Sequence, residues 1–395
     1  MRIGVHLGPI LEVFWIFLRL GLTSFGGPIA HLGYFRDEFV EKRKWFDDHS
    51  YADIVAICQF LPGPASSQVG ISIGLSRAGI PGAIAAWLGF TLPSAIVLVA
   101  FAFGVAAYGG SLDSGWLHGL KVVAVAVVAQ AIWGMAKSLT PDFKRAVIAV
   151  IAAALAILFS SALAQIGVIV LGAILGLILV RNFSNLPNTS IRVPLSHRAG
   201  LISLILFAGL LFVLPILGSL NESAKVIDSF YRTGSLVFGG GHVVLPLLKA
   251  EVVNTGWVSS DAFMAGYGAA QAVPGPLFTF AAYLGALLTK NLTGVIGAAA
   301  CLIAVFLPSF LMVFGVLPFW EKLRHVKQMR FAVAGINASV VGLLIAAFYN
   351  PVWTSAIFTV KDFVLALFCF VLLLFAKAPS WAVVILGAMA GAVLY

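Results

Sequence analysis

Charge is what this sequence has least of. Asp, Glu, Lys and Arg make up 10% of its 395 residues, where soluble domains carry about 25%, so a water-soluble globular fold is excluded. Cysteine is scarce too. Cys58, Cys301 and Cys369 all sit in apolar segments, without Cys-x-x-Cys spacing or a neighbouring His, a pattern of buried inert thiols rather than of a redox or metal centre. Neither Gly-x-x-x-x-Gly-Lys-Ser/Thr nor His-Glu-x-x-His occurs, which removes the usual residues of ATP hydrolysis and zinc proteolysis. No enzyme activity, cofactor or metal is expected. The net charge of +9 does not point to nucleic acid, because the basic residues sit in short loops between apolar runs, where membrane topology places them.

What is there is hydrophobic surface: 61% of residues are apolar and the mean hydropathy is +1.05. Runs of about 17 to 25 apolar residues recur, each long enough to cross roughly 30 Å of hydrocarbon as a helix. The fold class is therefore an all-α polytopic membrane protein. Arg2 ahead of Leu7 to Leu18 faintly resembles a signal peptide, but Arg19 and the Gly-rich continuation argue for a retained first span from Leu11 to about Tyr34. Further spans are expected at Tyr51 to Leu75, Pro81 to Tyr108, Trp116 to Ala136, Arg145 to Phe159, Leu163 to Val180 and Ala199 to Gly218. The polar, turn-rich stretch from Arg181 to Arg198 is the one clear linker.

Beyond Gly218 the pattern restarts. Phe17-Leu18-Arg19-Leu20-Gly21 and Phe25-Gly26-Gly27 match Phe230-Tyr231-Arg232-Thr233-Gly234 and Phe238-Gly239-Gly240; then Glu38 pairs with Glu251, Trp45 with Trp257, Gln59 with Gln271, Pro62-Gly63-Pro64 with Pro274-Gly275-Pro276, and Pro93-Ser94 with Pro308-Ser309. Identical order over some 80 residues indicates duplication. Residues 1–180 and 221–395 are expected to be two six-helix repeats, joined by a cytoplasmic linker and connecting span at 181–220. With the N-terminus in the cytoplasm, fourteen Lys and Arg fall inside and six outside, and the halves are inverted. Should the Pro-Gly-Pro segments re-enter instead of crossing, each half keeps five spans and the halves run parallel, which places either the linker or the basic run from Lys322 to Arg330 outside.

The Pro-Gly-Pro breaks are the centre of the functional reading. Freed backbone groups at membrane depth survive only where protein or a water-filled cavity satisfies them, so twin breaks at matching positions mark a transport site. Arg19 and Arg232 lie six residues before matching Phe-Gly-Gly sequences. An intramembrane cation faces a cavity, a partner or a pathway, so a shared anion site and pairing with carboxylates such as Glu38 or Glu251 are the two readings. Phe25-Gly26-Gly27 and Phe238-Gly239-Gly240 can unwind and present free N–H groups to an anion; close helix packing is the alternative. Gln59 and Gln271 offer amide donors three residues before Pro62-Gly63-Pro64 and Pro274-Gly275-Pro276. Glu38 and Glu251, with a solvated loop carboxylate as the default, are candidates for proton coupling or for neutralising the arginines. For Lys361, local pairing with Asp362 or an interfacial position is expected, and for Lys121 a place near a helix end.

The Phe-x-Arg-x-Gly-x-x-x-Phe-Gly-Gly stretch from Phe17, Trp45, the Gln-x-x-Pro-Gly-Pro stretch from Gln59 and their second copies resemble the CHR family of chromate ion transporters, in its long two-domain form. The resemblance covers nearly the whole chain. It implies a secondary transporter exporting chromate across the bacterial inner membrane and conferring resistance, with sulfate as structural analogue; the residues themselves imply an anion and a duplicated site. A sulfate or other oxyanion transporter, and an anion channel, stay open as alternatives, as do proton coupling and a homodimer. Gly241 replaces Pro28 in the second copy, and the loop from Lys249 to Trp257 lacks the basic cluster of Arg36 to Lys44, so the halves are not expected to contribute equally.

Overall fold

The computed structural model describes residues 7–25, 27–107, 115–159, 162–180, 195–238, 244–288, 292–320 and 326–394, and among them every regular element is a helix. Among the described residues five helices are long and apolar enough to cross a membrane, as in a multi-pass protein. In the first half, α1 (Leu7–Thr23) leads to α2 (Gly27–Arg36), which continues as a π-helical turn over Asp37–Lys42. α3 (Asp48–Phe60) and α4 (Ala65–Ala107) flank the first Pro-Gly-Pro, and α4 is divided by a kink at Ala78 and Gly79, where Gly79 takes φ +67. α5 (Gly115–Leu139), α6 (Phe143–Leu158) and α7 (Ala162–Leu179) complete the half, and α8 (His197–Gly218) connects onward.

The second half repeats this order. α9 (Glu222–Leu236) precedes α10 (Val244–Leu248) with its π-helical continuation Lys249–Val253, then come α11 (Ser260–Ala272), α12 (Phe280–Leu287) and α13 (Gly294–Val316). α14 (Lys327–Ala347), α15 (Val360–Leu374) and α16 (Ser380–Leu394) follow. Gly294, φ +58, stands where α4 has Gly79.

The Pro-Gly-Pro segments turn back rather than cross. Tyr283 Oη on α12 donates to Ala262 O near the start of α11 at 2.7 Å, although 21 residues separate them. In the first half Cys58 Sγ and Ser72 Oγ lie 3.7 Å apart, which a continuous helix would separate by about 20 Å. Each pair is a helical hairpin with Pro-Gly-Pro at its tip. The expected first span folds back as well. Phe17 on α1 stacks on Phe39 with centroids 5.2 Å apart, and Glu12 ties Arg43 (3.2 Å) and Arg77 (2.9 Å), which joins the open ends of both hairpins at one level. Arg77 also lies over the Trp45 ring at 4.6 Å.

The halves are interlocked. α5 packs on α15 and α16, and α14 packs on α6 and α7. Glycines allow these crossings: a Cβ at Gly335 would collide with the Gly172 and Gly176 backbone, and one at Gly119 with Gly387 and Gly391, two Gly-x-x-x-Gly pairs at repeat-related positions. Cys58, Cys301 and Cys369 are free and buried. Ser72 belongs to a Gly-x-Ser-x-Gly run, Gly70 to Gly74, but it lies within α4 and its hydroxyl donates to Gln68 O at 2.8 Å. A hydrolase nucleophile sits on a strand-to-helix turn, so this match is fortuitous.

Candidate functional site

Each hairpin tip is held by the other half. Gly63 N donates to Val237 O at 2.6 Å and Gly275 N donates to Ser24 O at 3.0 Å; Ser24 and Val237 are themselves repeat-related, each ending the helix that carries the intramembrane arginine. The two bonds are reciprocal across the duplication. Both glycines have positive φ, +121 at Gly63 and +100 at Gly275, backbone that L residues rarely adopt. They are also crowded: a Cβ at Gly63 would lie 2.5 Å from Ser309 Oγ, and one at Gly275 3.0 Å from Ser94 Oγ. The prolines on either side remove donors that the turn could not satisfy.

Hydroxyls and amides surround the crossing. Gln68 Nε2 donates to Pro62 O at 2.6 Å and Thr279 Oγ1 to Pro276 O at 2.8 Å. His31, buried, sits between Ser66 Oγ (3.3 Å) and Ser24 O (3.2 Å). Ser24 Oγ, Ser67 Oγ, Thr91 Oγ1, Ser309 Oγ and Gln271 Nε2 are buried without a hydrogen-bond partner, an accumulation that a buried polar cluster tolerates only when water or a ligand completes it. The sequence reading missed His31, Ser66, Ser67 and Gln68, though the last three follow the first break directly.

A cleft of about 60 Å³ opens beside the second tip, lined by Gly27 and Pro28 from the first half, by Gln271, Val273, Gly275 and Leu277 from the second, and by Gln130 and Ser380. The Phe-Gly-Gly break of one half thus faces the Gln-x-x-Pro-Gly-Pro break of the other. The N-termini of α2 and α16 open onto the cleft, and helix N-termini present free N–H groups and the positive end of the helix dipole. Phe25 lies against Trp381, centroids 6.0 Å apart.

The other expected site residues are distributed unevenly. Pro62, Gly63 and Pro64 are buried, Pro274 and Gly275 half-buried, and Pro276 buried, whereas Gln59 is exposed and does not accompany Gln271. Phe238 packs against the buried cluster of Ala152, Val168, Ile169 and Leu343; Gly26, Gly239 and Gly240 lie outside the described residues. Of the two readings of Arg19 and Arg232, the structure has the carboxylate pairs. Arg19 Nη2 lies 2.5 Å from Glu38 Oε2, and Arg232 is bonded to Asp228 and lies 3.7 Å from Glu251. Arg232 thus faces two carboxylates, whereas Arg19 shares the single Glu38 carboxylate with Arg43 at 2.7 Å. Glu38 and Glu251, at 4% and 9% exposure, are not the solvated loop carboxylates expected by default. Burial pushes the Glu38 carboxyl up, but hydrogen bonding and charge from Arg43 and Arg19 outweigh it and hold the group below its ordinary range.

The pairing of Lys361 with Asp362 is corrected, and Lys121 does lie near a helix end. Asp362 does not pair with Lys361: it accepts from His118 Nε2 at 2.7 Å and from Thr359 N at 2.7 Å, capping α15. Lys121 is on α5, six residues past its start at Gly115, and bridges to Asp261 of the other half at 2.7 Å. Among the described residues no group of His, Cys, Asp and Glu is arranged to hold a metal ion.

Comparison with known proteins agrees with this duplicated architecture. The chain is 27% identical over 344 residues to a chromate transport protein of Pseudomonas aeruginosa, covering 84% of this chain and 79% of that one. It is 26% identical over 400 residues to a chromate transport protein of Cupriavidus metallidurans, covering 98% and 94%. An uncharacterised transporter of Methanocaldococcus jannaschii is 28% identical over 342 residues, covering 85% and 83%. No solved structure matches. The family model described as chromate transporter matches twice, over residues 11–177 and 224–392, so the chain belongs to the chromate transporter family.

Proposed function

We propose that this protein is a secondary transporter that moves chromate, or a sulfate-like tetrahedral dianion, outward across the bacterial inner membrane, and so confers chromate resistance. The observation that carries this reading is the cleft where Gly27 meets Gln271 and Gly275, walls drawn from the two broken helices of opposite halves. Helix N-termini, hydroxyls and amides replace an oxyanion's hydration shell without a fixed charge, so binding stays weak enough for release. Expulsion of a dianion from a negative-inside cell is favoured by about 2.3 kcal/mol per charge per 100 mV.

The residues we assign to the substrate are Phe25, Gly26, Gly27, Gln271, Pro274, Gly275 and Pro276, with Gln59, Pro62, Gly63, Pro64, Phe238, Gly239 and Gly240 as the pseudo-symmetric counterparts. Arg19 and Arg232 hold the hairpin arms through Glu38 and Glu251, the carboxylates through which any proton coupling would act.

The hairpins also supply an orientation. Hairpins that return leave each half with four crossings, α4 beyond its kink, α5, α6 and α7, or α13 to α16, and α8 then starts the second half from the other side. The halves, 1–180 and 221–395, are thereby inverted with the linker at 181–194 cytoplasmic. By chain position, the cytoplasmic side then holds Arg2, Arg36, Lys42, Arg43, Lys44, Arg77, Lys137, Lys144, Arg145, Arg181, Arg192, Arg198, Lys322, Arg324, Lys327, Arg330 and Lys377. The outer side holds only Lys225, Lys249, Lys290 and Lys361. That asymmetry is steeper than with six crossings per half and supports the inverted scheme. The test is chromate uptake into inverted membrane vesicles with the pH gradient and the potential imposed separately: saturable uptake that follows the potential supports the reading, and flux that rises linearly without saturation favours a channel.

A further inference from the structure

We propose that a second oxyanion site, independent of the hairpin tips, is built around Lys249 at the open end of the second half. A cavity of about 170 Å³ lies there, lined by Lys249, Asn254, Tyr349, Asn350, Gln165 and Pro246 among others. It is far larger than the roughly 10–15 Å³ that one water requires. Lys249 Nζ donates to Asn350 Oδ1 at 2.8 Å, and no carboxylate of the described residues lies within ion-pair distance of it. Gln165 is 7% exposed and its amide donates to Pro246 O at 3.2 Å, closing the floor.

The duplication provides an internal control. In the register set by Glu38 and Glu251, Lys249 stands where the first half has Arg36, and Asn254 where it has Glu41; in the register resumed at Trp45 and Trp257, Ser260 stands where it has Asp48. Arg36 is fully compensated, by Asp48 at 2.7 Å and Glu41 at 2.9 Å. The second half keeps the cation and replaces both carboxylates by neutral polar groups. What was an ion-pair cluster becomes an ammonium facing a cavity with amide and phenol donors beside it. An ammonium acts as a compact point charge for phosphate-like groups, and a cation lacking its counter-charge in a partly enclosed site is completed by a mobile anion. The ligand chemistry is a tetrahedral oxyanion, which a free sulfate-like ion and a lipid phosphate both supply.

Equilibrium dialysis of radiolabelled sulfate against the purified full-length protein in uncharged detergent tests this. The wild type is expected to bind one more sulfate per chain than Lys249→Gln. Asn350→Asp is the sharper variant, because it supplies the missing carboxylate and neutralises Lys249 without removing a side chain; it should weaken the same binding event at least tenfold while keeping the wild-type melting temperature. Short-chain phosphatidylglycerol displacing only the Lys249-dependent sulfate identifies lipid phosphate as the occupant, and failure to displace it identifies the free ion; either outcome supports the site. Gln271→Leu should leave the Lys249-dependent sulfate in place, so a failure at the tips is read separately. Wild-type stoichiometry and affinity in both Lys249→Gln and Asn350→Asp, or no Lys249-dependent sulfate in the wild type, would overturn the proposal.

Discussion

Adding one methyl group to each hairpin tip tests whether tip geometry controls transport. Gly275→Ala places a side chain on backbone at φ +100, a conformation that costs roughly 1–3 kcal/mol for an L residue. Its Cβ would also lie 3.0 Å from Ser94 Oγ and 3.1 Å from Phe90 O, so the tip must retreat by a few tenths of an ångström from the backbone it touches. Every 1.4 kcal/mol is tenfold in a population, so the competent geometry falls by about 5- to 150-fold at that cost. Gly63→Ala is the harsher change, since φ is +121 and the Cβ would lie 2.5 Å from Ser309 Oγ and 2.6 Å from Gln68 Nε2. Chromate flux in proteoliposomes, normalised to monodisperse protein, should therefore fall at least fivefold in Gly275→Ala and further in Gly63→Ala. Gly79→Ala is the control: its φ is +67 but its nearest neighbour to a Cβ is Pro81 Cδ at 3.9 Å, so it carries strain without a collision at the tips. Normal flux in both tip variants, or equal loss in all three, would refute the reasoning.

Other consequences can be measured on the same protein. Glu38→Gln leaves Arg19 uncompensated and Arg43 with only Glu12 at 3.2 Å, and should destabilise more than Arg19→Gln, after which Glu38 still meets Arg43 at 2.7 Å; thermal melts rank the two. Because the folded Glu38 carboxyl titrates below its ordinary value, its contribution is fully present above the unfolded value of about 4.3 and is lost as pH falls through the folded one. The melting-temperature difference between wild type and Glu38→Gln should thus be constant from pH 5 to 8 and shrink below about pH 4. Asp362→Ala removes the Asp362 half of the α15 capping box, leaving the Thr359 hydroxyl in place, together with the His118 partner, and capping changes cost about 0.5–2 kcal/mol, so the melting temperature should drop by several degrees while sulfate affinity is kept. Single cysteines at Asp142 and at Asn254 should react with impermeant reagents from opposite sides of the membrane, Asp142 from the cytoplasm, if the halves are inverted.

Much of this was legible from spacing. The segments Pro81 to Tyr108, Trp116 to Ala136, Arg145 to Phe159, Leu163 to Val180 and Ala199 to Gly218 coincide with α4 beyond its kink and with α5 to α8, of which α4, α5 and α8 are long and apolar enough to cross a membrane, because apolar run length reports hydrocarbon thickness. The breaks were visible because Pro and Gly are costly in helices at fixed positions. That they turn back was not, because folding back depends on contacts between distant residues: Tyr283 reaching Ala262, where Gly266 leaves room for its ring, and Phe17 stacking on Phe39. The same applies to the arginines. Arg19 and Arg232 look like site residues while their distances to Glu38 and Glu251 are unknown, and a hairpin brings residues 19 apart within one ion pair. Gln59 and Gln271 are equivalent in sequence but not in surroundings, because only Gln271 lines a described cleft.

The most direct test of the central claim, that the anion passes through the cleft where Gly27 meets Gln271 and Gly275, is substrate protection at Gln271. Cys58, Cys301 and Cys369 are buried, so a Gln271→Cys variant that retains transport can be labelled in membrane vesicles with a negatively charged methanethiosulfonate, with sulfate as a substrate analogue that does not oxidise thiols. Sulfate should slow labelling of Cys at 271 in proportion to its occupancy, with half-protection at the concentration that half-inhibits chromate flux. A labelling rate unchanged by saturating sulfate, in vesicles where sulfate does inhibit that flux, would contradict the account.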